Sequence, residues 1–196
     1  MIKRCFDIFA SFIGLLLLSP FFIIIAIVIL IDSRGGVFYK QVRVGKNNKD
    51  FKLFKFRSMS TGSDKKGLLT VGGRDSRITR SGYFIRKYKL DELPQLLNVL
   101  FGDMSLVGPR PEVRKYVDMY NAEQMKVLSV KPGITDYASI EYSNENELLA
   151  KSSEPEKTYI EEIMPAKLLL NQKYITEQGL LTDIKIILRT IGKIVS

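Results

Sequence analysis

The chain has 196 residues, enough for one domain with a sizeable core plus an anchor; it has no histidine and one cysteine, Cys5, which excludes an intrachain disulfide. Any acid–base, nucleophilic or metal chemistry must therefore use carboxylates, Lys, Arg, Tyr, Ser or Thr. The formal charge of +9 is uneven: residues 33–90 hold 16 Lys/Arg against Asp50, Asp64 and Asp75, a net of +13, which points to anionic lipid headgroups, a phosphorylated substrate or both.

From Ile8 to Ile31 the chain runs 24 residues without a charge. A cleaved signal peptide would be shorter and end in small residues, whereas this run ends in ILIDSRGG. As a helix it would cover about 36 Å, enough for a hydrocarbon core of about 30 Å. Two features oppose a simple span. Pro20 removes a backbone hydrogen bond near the centre. Both flanks are also positive, with Lys3 and Arg4 before the run and Arg34, Lys40, Arg43, Lys46 and Lys49 after it, and positive flanks favour the cytoplasm. A hairpin broken at Ser19-Pro20 keeps both flanks on one side, with arms Ile8–Leu18 and Phe21–Ile31 each about 16 Å long. Ser19 can back-bond to a carbonyl that the proline frees. A re-entrant helix, a kinked span and a buried soluble hairpin all remain open on these grounds. Cys5 reads as a small apolar residue at the start of this helix.

Residues 36–59 read as two strands about the polar turn GKNNKD. The alternation in FKLFKFR (51–57) fits a strand with one buried face, and nucleic acid is not an expected partner. Residues 60–78 read as a mobile loop rich in Gly, Ser and charge, 79–89 as a basic helix and 91–100 as a short apolar helix capped at Asp91. A constrained loop is expected over 102–113 and a helix over 114–130, ended by Lys131-Pro132-Gly133. Residues 141–162 carry seven Glu against Lys151 and Lys157, and MPAKLLLNQKYI follows as a helix. Residues 180–196 form a basic amphipathic helix, with Lys185, Arg189 and Lys193 on one stripe and Ile184, Ile187, Leu188, Ile191 and Ile194 on the other side. It can lie in a membrane interface or pack its apolar face on the core. The fold class expected is mostly α with a small β-hairpin: residues 1–34 a re-entrant membrane helix, residues 35–196 a cytoplasmic catalytic domain closed by the interfacial helix.

Three stretches can carry chemistry. Asp91-Glu92-Leu93-Pro94 can simply cap a helix and complement its dipole. Arg86, Lys87 and Lys89 just upstream and the helix N-terminus favour the ionised carboxylate, and an ionised pair could divide two tasks, one attacking phosphorus and the other binding Mg²⁺. Gly108-Pro109-Arg110-Pro111 is either a stiff connector or a rigid mount that offers Arg110 to phosphate. Lys55 and Arg57, at the end of the second strand, either decorate a solvated face or contact phosphate. GxxxxGK[ST] is absent.

Together KRCFDIFAS with its Ser19-Pro20 break, FYKQVRVGKNNKDFKLFKFRSM, LDELPQLLNVLFGDMSLVGPRP and KPGIT resemble the monotopic phosphoglycosyl transferases, the initiating sugar transferases of bacterial glycan assembly. The stretches occur in family order and cover most of the chain, which looks like the small, catalytic-domain form. The resemblance implies an enzyme on the cytoplasmic face of the bacterial inner membrane, seated in one leaflet by a re-entrant helix. Its partners would be a UDP-sugar, a polyprenyl phosphate (usually undecaprenyl phosphate) and later glycan-assembly enzymes. Asp91 would attack the phosphate next to the sugar, release UMP and form a phosphosugar-enzyme, which the lipid phosphate then displaces. Glu92 would bind Mg²⁺, Arg86 and Arg110 would contact phosphate, and Lys55 and Arg57 are further candidates. Many relatives follow KPGIT with Gly-Trp, whereas this chain has Asp136-Tyr137, a departure that bears on the sugar. A non-catalytic membrane scaffold, and an enzyme in which the lipid phosphate attacks directly, are the competing readings.

Overall fold

The computed structural model describes residues 2–63, 67, 69–72 and 75–195, the Val195 side chain excepted. Asp64 and the other missing positions of the loop expected over 60–78 lie outside the described residues, as do Met1 and Ser196.

Helix α1 (Ile2–Asp32) is long and apolar enough to cross a membrane and is one helix through Pro20, not the two arms expected on either side of Ser19-Pro20. Proline has no N–H for the carbonyl four residues back, that of Leu16. Ser19 Oγ donates to this carbonyl at 2.8 Å, as the sequence predicts. A core helix would be mostly buried. Instead Leu16, Leu17, Phe21, Ile23 and Ile24 are 57–68% exposed, which removes the buried soluble hairpin.

Both ends of α1 are nevertheless tied to the folded body. Lys3 donates to Val107 O (3.2 Å) and pairs with buried Asp183. Arg4 donates to Val99 O (2.6 Å) and Leu100 O (3.1 Å). Buried Asp7 accepts from Ser105 Oγ (2.8 Å) and Leu106 N (3.2 Å). At the far end, Asp32 accepts from Ser81 N (2.9 Å) and Oγ (2.8 Å).

The hairpin forms as expected, with β1 (Phe38–Val44) antiparallel to β2 (Asp50–Phe56) and Val44 opposite Asp50. Asn47 and Asn48 adopt positive φ in the turn, a conformation that Asn tolerates well. Leu53 and Phe56 are both buried, on opposite faces of β2 and in separate clusters, so the strand is covered on both faces and not on one as expected. Helix α2 (Arg80–Lys87) starts at Thr79, whose hydroxyl accepts from Gly82 N at 3.0 Å. Helix α3 (Gln95–Phe101) binds the hairpin through one side chain, since Asn98 Oδ1 accepts from Phe54 N (2.9 Å) and its Nδ2 donates to Lys52 O (2.8 Å).

Three sequence expectations change. The helix expected over 91–100 does not begin at Asp91: Leu90–Glu92 form a 3-10 turn, and α3 starts after Pro94 with no side-chain cap. The loop over 102–113 contains a strand, β3 (Ser105–Val107), parallel to β4 (Gly133–Thr135). The helix over 114–130 is only α4 (Arg114–Val117) followed by a 3-10 turn at Gln124–Ser129. Asn121 and Gln124 exchange side-chain-to-backbone bonds of 2.9 Å each, restarting the chain where a continuous helix would need its backbone partners.

The remainder is helical: α5 (Tyr137–Glu141), α6 (Glu145–Ala150), α7 (Pro155–Thr158), α8 (Met164–Glu177) and α9 (Leu180–Val195). A single π-turn, Tyr159–Ile163, joins α7 to α8. The largest core cluster gathers Val113, Tyr116, Val127, Leu149, Tyr159, Ile163, Met164 and Leu168. Helix α9 meets the core through Asp183 and Ile186, while Leu181, Leu188 and Ile191 are 54–76% exposed. Much of its apolar face is thus left off the core.

Candidate active site

The site is set by a sharp redirection after α2. Lys89 takes a left-handed conformation (φ 54°), unusual for a residue with a Cβ and costing on the order of 1 kcal/mol. The chain then closes the 3-10 turn that carries Asp91 and Glu92, and Asp91 is 5% exposed.

The two carboxylates have different surroundings. Arg110 grips Glu92 with both Nη atoms, Nη1 to Oε2 at 3.0 Å and Nη2 to Oε1, and Lys55 Nζ stands 3.7 Å from Oε1. Among the described residues no ion pair or hydrogen bond engages the Asp91 carboxylate. Burial raises the Glu92 pKa, but Arg110 and then Lys55 outweigh it and hold the group well below the usual carboxylate range. Burial, and next the Glu92 charge, push Asp91 up, against Lys55 and Arg86. Lys55, Arg86 and Lys89 thus favour the ionised form of Asp91, as the upstream charge suggests, but burial and Glu92 act against them. Burial brings Lys55 down to about 8 despite Glu92. Glu92 raises Arg110 further above its ordinary value.

Arg110 reaches Glu92 from a braced loop. Gly108 N donates to Thr135 O (3.1 Å), Gly133 N to Pro109 O (3.0 Å) and Arg110 N to Asp136 Oδ2 (3.2 Å). On the other side Arg43 donates to Pro111 O (3.1 Å) and Glu112 Oε1 (2.9 Å). Backbones meet so closely that a Cβ on Gly133 would lie 2.1 Å from Gly108 N. This explains glycine in both VGPRP and KPGIT.

The dyad opens into a cleft of about 530 Å³. Of the residues proposed from sequence, Lys55, Arg86, Asp91, Glu92 and Arg110 all line it. Arg86 Nη2 donates to Thr70 Oγ1 at 3.1 Å. Arg57 does not join them: it is 7% exposed and donates to the carbonyls of Ile29 (3.3 Å), Ser33 (2.7 Å) and Arg34 at the end of α1. Strand β2 ends at Phe56, so the alternation placing Lys55 at the cleft does not extend to Arg57. Ser19 and Pro20 lie in α1, apart from the cleft lining. Sequence reasoning gave no site role to the polar residues Ser139, Tyr142, Ser143 and Asn144 to Glu147, which also line the cleft. The Asp136-Tyr137 departure was the available signal.

Among the described residues no cluster of three or more metal-binding side chains occurs. Mg²⁺ is commonly held by one or two carboxylates together with substrate phosphates. Two adjacent carboxylates therefore fit an ion that arrives with a diphosphate. For Glu92 to act as its ligand, an oxygen that Arg110 now holds must either be released or offer its second lone pair to the ion.

An acidic pair, of which only Glu92 is gripped among the described residues, thus sits in a cleft lined by Lys and Arg, in a chain with one helix long and apolar enough to cross a membrane. The comparisons place the chain more closely. The model of the bacterial sugar transferase family matches residues 1–196, and the chain belongs to that family. It is 46% identical over 142 residues to a UDP-N-acetylgalactosamine-undecaprenyl-phosphate N-acetylgalactosaminephosphotransferase of Aeromonas hydrophila, covering 71% of this chain and 34% of that protein. It is 45% identical over 122 residues to a putative undecaprenyl-phosphate N-acetylgalactosaminyl 1-phosphate transferase of Bacillus subtilis, covering 62% and 68%. A UDP-glucose:undecaprenyl-phosphate glucose-1-phosphate transferase of Escherichia coli is 36% identical over 197 residues, covering 98% and 40%. The chain thus spans about a third of the length of the Aeromonas relative.

Proposed function

We propose that this chain transfers a sugar 1-phosphate from a UDP-sugar to a polyprenyl phosphate, undecaprenyl phosphate by analogy with its relatives, and releases UMP. The observation that carries the reading is the division of the dyad. Glu92 is gripped by Arg110 and Lys55, whereas Asp91 lines the cleft with no such partner among the described residues. An Asp91 oxygen attacks the phosphorus attached to the sugar. The bond to the bridging oxygen breaks and UMP leaves with that electron pair. An oxygen of the lipid phosphate then attacks the same phosphorus, restoring the Asp91 carboxylate and giving a lipid diphosphosugar. Lys55, Arg86 and Arg110 bind and orient phosphate oxygens as charge develops. Mg²⁺, held by Glu92 with the diphosphate, would neutralise the leaving charge.

The membrane reading rests on α1. A straight 31-residue helix is about 46 Å long, so a spanning one would part its ends by the thickness of the bilayer. Here both ends bond to one folded body. That supports re-entry; the positive flanks of α1 favour the cytoplasmic face, and the exposed apolar residues of α9 would rest in the interface.

Incubation with a UDP-sugar and Mg²⁺ without lipid, followed by intact-protein mass spectrometry, tests the covalent route. A phosphosugar adduct that maps to Asp91 is expected, and Asp91→Asn should lose both adduct and UMP release. Normal UMP release with lipid but no adduct at any time point means direct attack by the lipid phosphate. No UMP release from any UDP-sugar overturns the enzymatic reading.

A further inference from the structure

Asp136 is wholly buried, and each of its oxygens accepts a backbone N–H from a different element. Oδ2 takes that of Arg110 at 3.2 Å, and Oδ1 takes that of Ser139 at 2.6 Å, capping α5. Arg110 is thus held at its backbone by Asp136 and at its guanidinium by Glu92. Helix α5 in turn gives Ala138, Ser139 and Ile140 to the cleft. We propose that Asp136 is a positioning residue that locks the α5 wall of the donor cleft to Arg110, so that the wall and the phosphate-binding guanidinium move as one unit. The inference rests on the donor-binding reading above.

The ordinary alternative is a helix cap and nothing more. Ser, Thr or Asn caps a helix as well as Asp does, without burying a charge. What only a carboxylate supplies at this length is two acceptor oxygens for two N–H groups pointing from different elements. Asn has one acceptor; its NH₂ would face one of the two N–H groups, donor against donor. The Asp136 charge also reinforces, after Glu92, the cationic state of Arg110.

The test is a double-mutant cycle on UDP binding, measured by calorimetry on the full chain in nanodiscs. Asp136→Ser keeps a cap for α5 but is too short to hold Arg110 N as well. It should weaken UDP binding at least tenfold, with a melting temperature within a few degrees of wild type. In an Arg110→Lys background, where the guanidinium is already gone, the same change should cost less than twofold. If Asp136→Ser does not fold, Asp136→Asn replaces it with the same expectation. Equal losses in both backgrounds, or no loss in either, overturn the proposal and leave the donor reading intact. Wild-type protein that binds no UDP overturns the donor reading, and the inference with it.

Discussion

At the scale of single residues, the dyad is two carboxylates of opposite character. Asp91 is pushed above the unfolded value of 3.8 by burial and by Glu92, so the fold binds its proton more tightly than the open chain does. Stability from this group is therefore lost as pH rises through the folded pKa. Asp91→Asn should raise the melting temperature at pH 7, and the gain should vanish below about pH 3.8, while UMP release falls at least a thousandfold. Glu92→Gln should do the reverse to stability. It leaves Arg110 and Lys55 without their counter-charge and should cost about 3 kcal/mol in chemical denaturation, the low end for a buried pair because Arg110 is 33% exposed. Lys55 is cationic below about 8 and neutral above it, so donor binding should weaken as pH rises past that point. Lys55→Arg should move this alkaline limb upward in a pH profile of the UDP-sugar KM. Local stiffness and local charge single out the dyad and Arg110, the family resemblance joins them, and the structure brings them to one cleft. The place of Arg57 was not legible in sequence, because its partners are carbonyls at the end of α1, more than twenty residues upstream.

At the scale of elements, the sequence reveals what is periodic and hides what pairs at a distance. The hairpin, α2, α8 and α9 follow from their patterns. β3 and β4 have three residues each and lie about 25 residues apart in the chain, too short to show alternation. Their glycines are their only mark. Gly133→Ala would put a Cβ against Gly108 N, part the strands and loosen Arg110 from Asp136. The expected result is at least a hundredfold loss of UMP release and a lower melting temperature. Arg57→Ala should also lower stability, by about 2–4 kcal/mol through its three lost carbonyl bonds. In the fraction that stays folded, KM for the UDP-sugar should be unchanged, since Arg57 does not line the cleft.

At the scale of the whole molecule, the N-terminal helix is as much a frame for the site as an anchor. Its first turns grip β3, which leads into the Arg110 loop; its last turn grips α2, which carries Arg86. Topology can be read by labelling cells with a membrane-impermeant thiol reagent. Native Cys5, which is exposed, and a cysteine placed at Gly36 on a Cys5→Ser background lie on the two sides of the apolar run. Both should stay unlabelled until the inner membrane is permeabilised, and labelling of only one before that would mean a span. Helices that cross a bilayer must match its thickness, tilting or straining when lipid chains lengthen. A helix moored at both ends to one body has no far interface to match. Turnover in nanodiscs built from short-chain and long-chain lipids should therefore be nearly the same, leaving the enzyme indifferent to hydrophobic mismatch.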